Sequence, residues 1–152
     1  TSIAVVEGGV LRMSHSIDTS GADITQVISH GLNINLLRAE ALKKERGIIV
    51  MPGEEDLKVL ITTLLDVIAA EIERMISLYS RRYGIKPEKI VLCGGSANLP
   101  GLLEYFKEHF QMDVSIGNAF KNIVYPEILN PLVAELSPVF ATSLGLAMRE
   151  II

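Results

Sequence analysis

The sequence predicts an α/β domain, and three observations carry that reading. The chain opens with two apolar stretches joined by a glycine pair, the pattern of a β-hairpin. Its middle is one long segment with apolar residues at helical spacing. Its second half alternates short apolar runs with amphipathic segments, the order that builds a sheet flanked by helices.

Residues 2–6 and 10–17 read as strands, with Glu7-Gly8-Gly9 as the turn, because glycine supplies the positive φ that a tight turn needs. Ser20-Gly21-Ala22-Asp23 looks like a helix start, and Ile24, Val27, Ile28 and Leu32 follow at helical spacing. Asn33 or Asn35 is placed to cap a second helix, LLRAEALKKERG, which Gly47 ends. The segment from Met51 to Gly84 is the longest periodic one. Leu57, Leu60, Ile61, Leu64, Leu65, Ile68, Ile72, Met75, Ile76 and Tyr79 mark one apolar face, which reads as core. Glu54, Glu55 and Asp56 in the first turn and Arg81 and Arg82 in the last complement the helix dipole. PEKIVLCGG reads as a short buried strand, residues 99–110 as a helix and MDVSIGN as another strand. AFKNIVYPEILNPLVAELSP is irregular and punctuated by proline, with room for one short helix. Residues 138–151 read as a last helix. The parts are therefore a hairpin over 1–20, a helical part over 21–84 and a further α/β part over 85–152.

Composition narrows the function. With 49% hydrophobic residues but only 5% aromatics in 152 residues, the core is aliphatic and sizeable, in one domain or two small lobes. The net charge of −4 and the lack of a basic stripe argue against a nucleic-acid partner. The single cysteine, Cys93, excludes an internal disulfide and a cysteine-based zinc site and suits a reducing cytosol. No apolar run approaches the roughly 18 residues of a membrane span; the longest, from Val59 to Ala70, is interrupted by Thr62, Thr63 and Asp66. No signal peptide is recognisable. The chain begins in mid-strand, TSIAVV, without Met, so upstream sequence is expected to be missing.

The most informative stretch is VLCGGSANLPG, residues 91–101. Gly94-Gly95 follows a strand and precedes a helix. Main chain can approach a ligand closely only where side chains are absent, and ligands gather at the carboxyl ends of strands in open α/β sheets. No Lys-Ser/Thr pair follows Gly101, so this is no P-loop, and the spacing is not G-x-G-x-x-G. On these residues alone the turn stays open between a structural junction and a ligand site. In RAEALKKERG, Glu40 and Lys43 share a helix face, with Lys44 beside them. A carboxylate and an ammonium so placed suit a ribose hydroxyl pair and a purine edge, and equally a solvated face with ion pairing at i, i+3. In FATSLGLAMRE, Ala141 and Gly145 stand four apart, a spacing that lets two helices pack closely.

Taken in order, these pieces resemble the second half of the actin/Hsp70/FtsA ATPase superfamily, a ribonuclease-H-like fold, and most of all the PilM family of type IV pilus assembly. The resemblance runs from Thr1 to Ile151 and is most specific at GGSANLPG. It implies the second lobe, subdomains 2A and 2B, of a protein whose first lobe is missing here. By that resemblance Gly94, Gly95 and Ser96 lie against the nucleoside of ATP, Glu40, Lys43 and Lys44 contact ribose and base from a facing helix, and Ala141 and Gly145 belong to a connecting helix near a hinge. The family's second phosphate loop carries Asp-x-Gly before a Thr-Ser pair. The chain starts at Thr1-Ser2, so half a nucleotide site is expected.

The resemblance further implies ATP with Mg in the intact protein, with ATP acting mainly as a conformational ligand. Any ATPase activity belongs to that protein and not to this stretch alone. The implied partner is a PilN-like inner-membrane protein, bound by its N-terminal tail mostly through the missing lobe, with self-association allowed for. The implied location is cytoplasmic, at the inner-membrane face. An FtsA-like division filament protein and a scaffold module without a working nucleotide site remain alternatives.

The other chemistry-bearing residues read as structural. Cys93 is expected as a small core residue of a buried strand. His15, His30 and His109 lack metal-ligand spacing and read as surface or partly buried. Ser96 has no His-Asp partner in view, and GGSA is not a G-x-S-x-G elbow.

Overall fold

The computed structural model describes residues 1–49 and 51–149. It falls into two compact units, Thr1–Glu88 and Lys89–Ile152.

In the first unit, β1 (Ser2–Glu7) pairs antiparallel with β2 (Val10–Ser16). Gly8 and Gly9 join them at φ 57° and 78°, in the region glycine enters freely. A bulge between Val5 and Val6 shifts the register, so that Val5 faces Met13 and Val6 faces Leu11. Helix α1 (Gly21–Gly31) starts where the Ser20 N–H and hydroxyl both donate to the Asp23 carboxylate, at 2.7 and 2.6 Å. Helix α2 (Leu36–Arg46) is capped by Asn35, whose Oδ1 accepts from the Arg38 N–H at 2.9 Å. Asn33 instead takes a left-handed φ of 51° in the connecting loop.

Helix α3 (Glu55–Tyr83) is the spine of this unit. Leu57, Ile61, Leu65, Ala69, Met75 and Tyr79 are buried along one stripe, and α3 packs on α1 and β1. Ala69 belongs to the stripe although its size kept it out of the sequence pattern. The α1 end approaches closely, since a Cβ on Gly31 would lie 2.6 Å from Leu60 Cδ1. Glu54 and Glu55 act as helix-start acceptors, taking the Met51 and Gly53 N–H groups. Gly84 ends the helix at φ 74°, its N–H on Ser80 O.

In the second unit, β3 (Lys89–Leu92) pairs in parallel with β4 (Asp113–Ile116), Lys89 opposite Asp113 and Leu92 opposite Ile116. Parallel strands need a crossover. Here it is a 3-10 turn, Gly95–Asn98, followed by α4 (Leu102–Phe110), which packs on β4 through the buried Leu102, Phe106 and Val114. A second 3-10 turn, Glu127–Leu129, leads into α5 (Asn130–Leu136), with Pro131 in its first turn. Helix α6 (Ala141–Met148) follows.

Four expectations are corrected. The 87–95 run is a strand only over 89–92 and is not buried: Val91 is 49% exposed, and Ile90 and Leu92 are half-buried. Cys93 is therefore exposed, not core, because the ladder ends one residue before it. The helix expected from Leu99 begins at Leu102, since Leu99 is extended and Gly101 sits at φ 85°. The last helix begins at Ala141, with Pro138 buried in the turn before it; residues 150 and 151 lie outside the described residues. Ala141 and Gly145 do lie on this helix, but a Cβ on Gly145 would meet nothing within 4 Å.

The α3 stripe gives a direct test. Replacing Ile61, which is fully buried, with Ala should cost about 2–5 kcal/mol in urea unfolding. Val59→Ala on the exposed side of the same helix should change stability by less than about 0.5 kcal/mol. Equal effects would place the core on another face.

Candidate functional site

The parallel register sets the carboxyl ends of β3 and β4 side by side, and both lead into glycine. Gly94 follows β3 at φ 96°, a conformation L side chains rarely adopt. Its N–H donates to Pro138 O at 2.7 Å, and its carbonyl accepts from the Ala97 N–H at 3.1 Å. The buried Ala97 and Leu99 anchor the turn inward, and Asn98 Nδ2 donates to Glu135 O at 2.8 Å. Gly95, Ser96 and Asn98 are the exposed residues of this turn, and of these only Asn98 has its side chain tied back to the chain.

Gly95 is the informative position. Its φ is not left-handed, and a Cβ there would meet nothing within 4 Å. Neither backbone conformation nor packing among the described residues calls for glycine, whereas a ligand lying on bare main chain would. Gly117, just past β4, has the opposite character. Its N–H donates to Leu92 O at 2.8 Å, and a Cβ would lie 2.5 Å from Cys93 Sγ and 3.3 Å from Leu92 O. Next to it, Asn118 Oδ1 accepts from the Ser137 hydroxyl at 3.0 Å and from the Phe120 N–H at 3.2 Å. Gly117, Asn118 and Pro138 went unrecognised in the sequence. The available signal was that the second strand, DVSIGN, also ends in glycine. Partial burial in this turn pushes the Cys93 thiol up.

In the first unit, Glu40, Lys43 and Lys44 come together on α2. Lys43 Nζ lies 2.5 Å from Glu40 Oε2, and Lys44 Nζ lies 3.3 Å from Glu40 Oε1. The structure adds a residue the sequence reading missed: the Thr25 hydroxyl of α1 donates to Glu40 Oε2 at 2.5 Å. Lys43 is buried and also reaches Thr25 Oγ1 and Gly21 O, so the solvated-face alternative fails for it. Burial pushes the Glu40 carboxyl up, but hydrogen bonds from Lys43 and Thr25, the Lys43 charge and the Lys44 contact outweigh it, bringing the group down to about 2.

Among the described residues no group of three or more His, Cys, Asp or Glu is placed to hold a metal ion, and no single helix is long and apolar enough to cross a membrane. His30 and His109 are exposed, while His15 faces Glu71 and Arg74.

The family model described as type IV pilus assembly protein PilM matches residues 1–151. The chain belongs to the PilM family. A chain of a solved PilM-PilN type IV pilus biogenesis complex superposes with a TM-score of 0.81 at 25% identity, over 99% of this chain and 43% of that one. The ethanolamine utilization protein EutJ from Carboxydothermus hydrogenoformans shares the fold, with a TM-score of 0.65 and 20% identity over 97% of this chain and 44% of its own. The fold is thus that of the actin-like ATPases, as the motifs implied. Cell division protein FtsA of Bacillus subtilis (strain 168) is 27% identical over 78% of this chain and 31% of its own length. FtsA of Streptococcus pneumoniae serotype 2 is 30% identical over 76% and 29%. This PilM-family chain spans less than a third of those curated relatives.

Two outcomes follow from the geometry. A carboxylate with a lowered folded pKa stabilises the fold above its ordinary pKa of 4.5, and that contribution is lost as pH falls toward about 2. The urea midpoint should therefore drop more between about pH 5 and pH 2 in the wild type than in Glu40→Gln; parallel pH profiles would contradict the network. Gly117→Ala should destabilise the protein by about 1–3 kcal/mol through overpacking, whereas Gly95→Ala should leave the unfolding transition within about 0.5 kcal/mol. The reverse order in thermal melts would overturn the placement of the two glycines.

Proposed function

We propose that this chain forms the nucleotide-binding second lobe of a PilM-like, actin-like protein that acts in type IV pilus assembly by ATP-dependent partner binding. The observation that carries the reading is Gly95: a glycine that the described chain does not itself require, at the carboxyl end of a parallel strand, beside a glycine whose backbone forces the turn. Gly94, Gly95 and Ser96 present main chain to the nucleoside. Glu40 accepts from the ribose hydroxyls, with Lys43 and Lys44 as cations of the same helix. Mg arrives with the nucleotide phosphates, its usual mode of binding.

ATP supplies differential affinity between lobe arrangements, and this alone lets a ligand shift a conformational equilibrium. The partner is a PilN-like inner-membrane pilus protein, engaged through its N-terminal tail mainly by the other lobe. The protein then works in the cytoplasm, at the inner-membrane face. The solved relative in a PilM-PilN complex supports this choice. A scaffold role without a working nucleotide site is the second reading, and the engagement of Lys43 within its own unit favours it.

Calorimetric titration of Mg-ATP into the full-length protein separates the two. The nucleotide reading expects affinity on the order of micromolar, lost in Gly95→Asp with the circular dichroism spectrum unchanged. Glu40→Ala should weaken binding by about 1–3 kcal/mol. No heat with the wild type, or unchanged affinity in Gly95→Asp, would leave the scaffold role.

A further inference from the structure

The cluster between α1 and α2 holds more than an ion pair. An ammonium has three N–H donors, and Lys43 Nζ has three acceptors around it: Gly21 O at 2.9 Å, Thr25 Oγ1 at 2.7 Å and Glu40 Oε2 at 2.5 Å. Only 7% of Lys43 is exposed, so its donors are committed inside its own unit. Thr25 is equally buried and stands at the centre. Its hydroxyl has one proton to give and lone pairs to accept with. It lies 2.5 Å from Glu40 Oε2 and 3.0 Å from Gly21 O. The carboxylate is the stronger acceptor, so the proton goes there while a lone pair takes Lys43. Glu40 Oε2 is therefore held from two directions by buried groups.

Glu40 Oε1 is in a different position. It faces Lys44 Nζ at 3.3 Å, and the Lys44 side chain is 74% exposed. A long exposed lysine is easily displaced, because holding it in one geometry costs side-chain entropy. The result is a carboxylate with one oxygen clamped by buried groups and the other paired with an exposed, displaceable lysine.

We propose that Thr25 is a positioning residue for ribose recognition: with Lys43 it clamps Glu40 Oε2, so that Oε1 is the atom offered to the sugar hydroxyls of the nucleotide. This rests on the reading of Glu40 as a nucleoside contact, and it makes Lys43 a clamp instead of a ligand contact. Fixing the acceptor beforehand removes part of the ordering cost of binding. A site built around a carboxylate acceptor also discriminates against a sugar that lacks the donor, because the acceptor is then left unpaired.

The test compares Mg-ATP with Mg-2′,3′-dideoxy-ATP on the full-length protein. The wild type should prefer ATP by about tenfold or more, the worth of one hydrogen bond to a charged group. Thr25→Val should bring that preference close to unity while affinity for the dideoxy nucleotide changes little. Thr25→Ser, which keeps the hydroxyl, should restore it. If Thr25→Val does not fold, Thr25→Ala removes the hydroxyl without placing a new methyl in the cluster and carries the same expectation. A preserved preference in the hydroxyl-free variant, or equal weakening of both nucleotides, overturns the positioning role. ATP binding by the wild type without any ribose preference overturns this inference alone, whereas no ATP binding at all overturns the nucleotide reading beneath it.

Discussion

The candidate site of the second unit depends on one constraint, the parallel pairing of β3 with β4. Leu92 stands opposite Ile116, so the chain leaves both strands at the same end. The ladder continues for one more bond, from the Gly117 N–H to Leu92 O. That bond pulls the two exits so close that Gly117 has no room for a side chain. On the neighbouring exit, the chain must turn sharply from β3 into the crossover, and Gly94 does so with a left-handed φ while its N–H is tied to Pro138 O. Ala97 and Leu99 then bury the inner side of the turn. What is left outward is Asn98, tied to Glu135 O, and ahead of it Gly95 and Ser96, a stretch of main chain without bulk. A pair of strands four residues long thus dictates which part of the backbone meets the surroundings.

The first unit solves a different problem. Helix α3 is held by an apolar stripe, and α1 packs on it through Ile24 and Ile28. Helix α2 has no such stripe: it buries only Ala39 and Lys43. Its attachment to α1 relies on the Lys43, Thr25 and Glu40 cluster, where a buried cation is acceptable because all three of its donors are matched. The polar face of α2 is therefore part of the fold's own bonding, with Glu40 Oε1 facing only the exposed Lys44.

These features were unevenly legible in the sequence. The α3 stripe and the β1–β2 hairpin were readable because their signals are local: a sustained period for one, a glycine pair between apolar runs for the other. Glu40 and Lys43 were readable as neighbours on one face. That Lys43 would be consumed was not, because Gly21 and Thr25 lie a helix away in sequence and nothing in a linear pattern brings them together. Cys93 was misread because strand length is decided by the partner strand, and β4 offers pairing only as far as Leu92. Gly117 escaped notice because a lone glycine after a strand carries no motif; its necessity comes from the Cys93 sulfur beside it. The family itself was legible in GGSANLPG and its neighbours, since a run of small and turn-forming residues at fixed spacing is the part of a sequence least explained by packing.

Contact between the bare turn at Gly94–Ser96 and a nucleotide is tested most directly by amide hydrogen exchange on the full-length protein. Exchange of residues 94–97 should slow when Mg-ATP is added at saturation, with the amides inside α4 unaffected. Bound Mg-ATP with unchanged exchange at 94–97 would contradict that contact and place the nucleotide elsewhere.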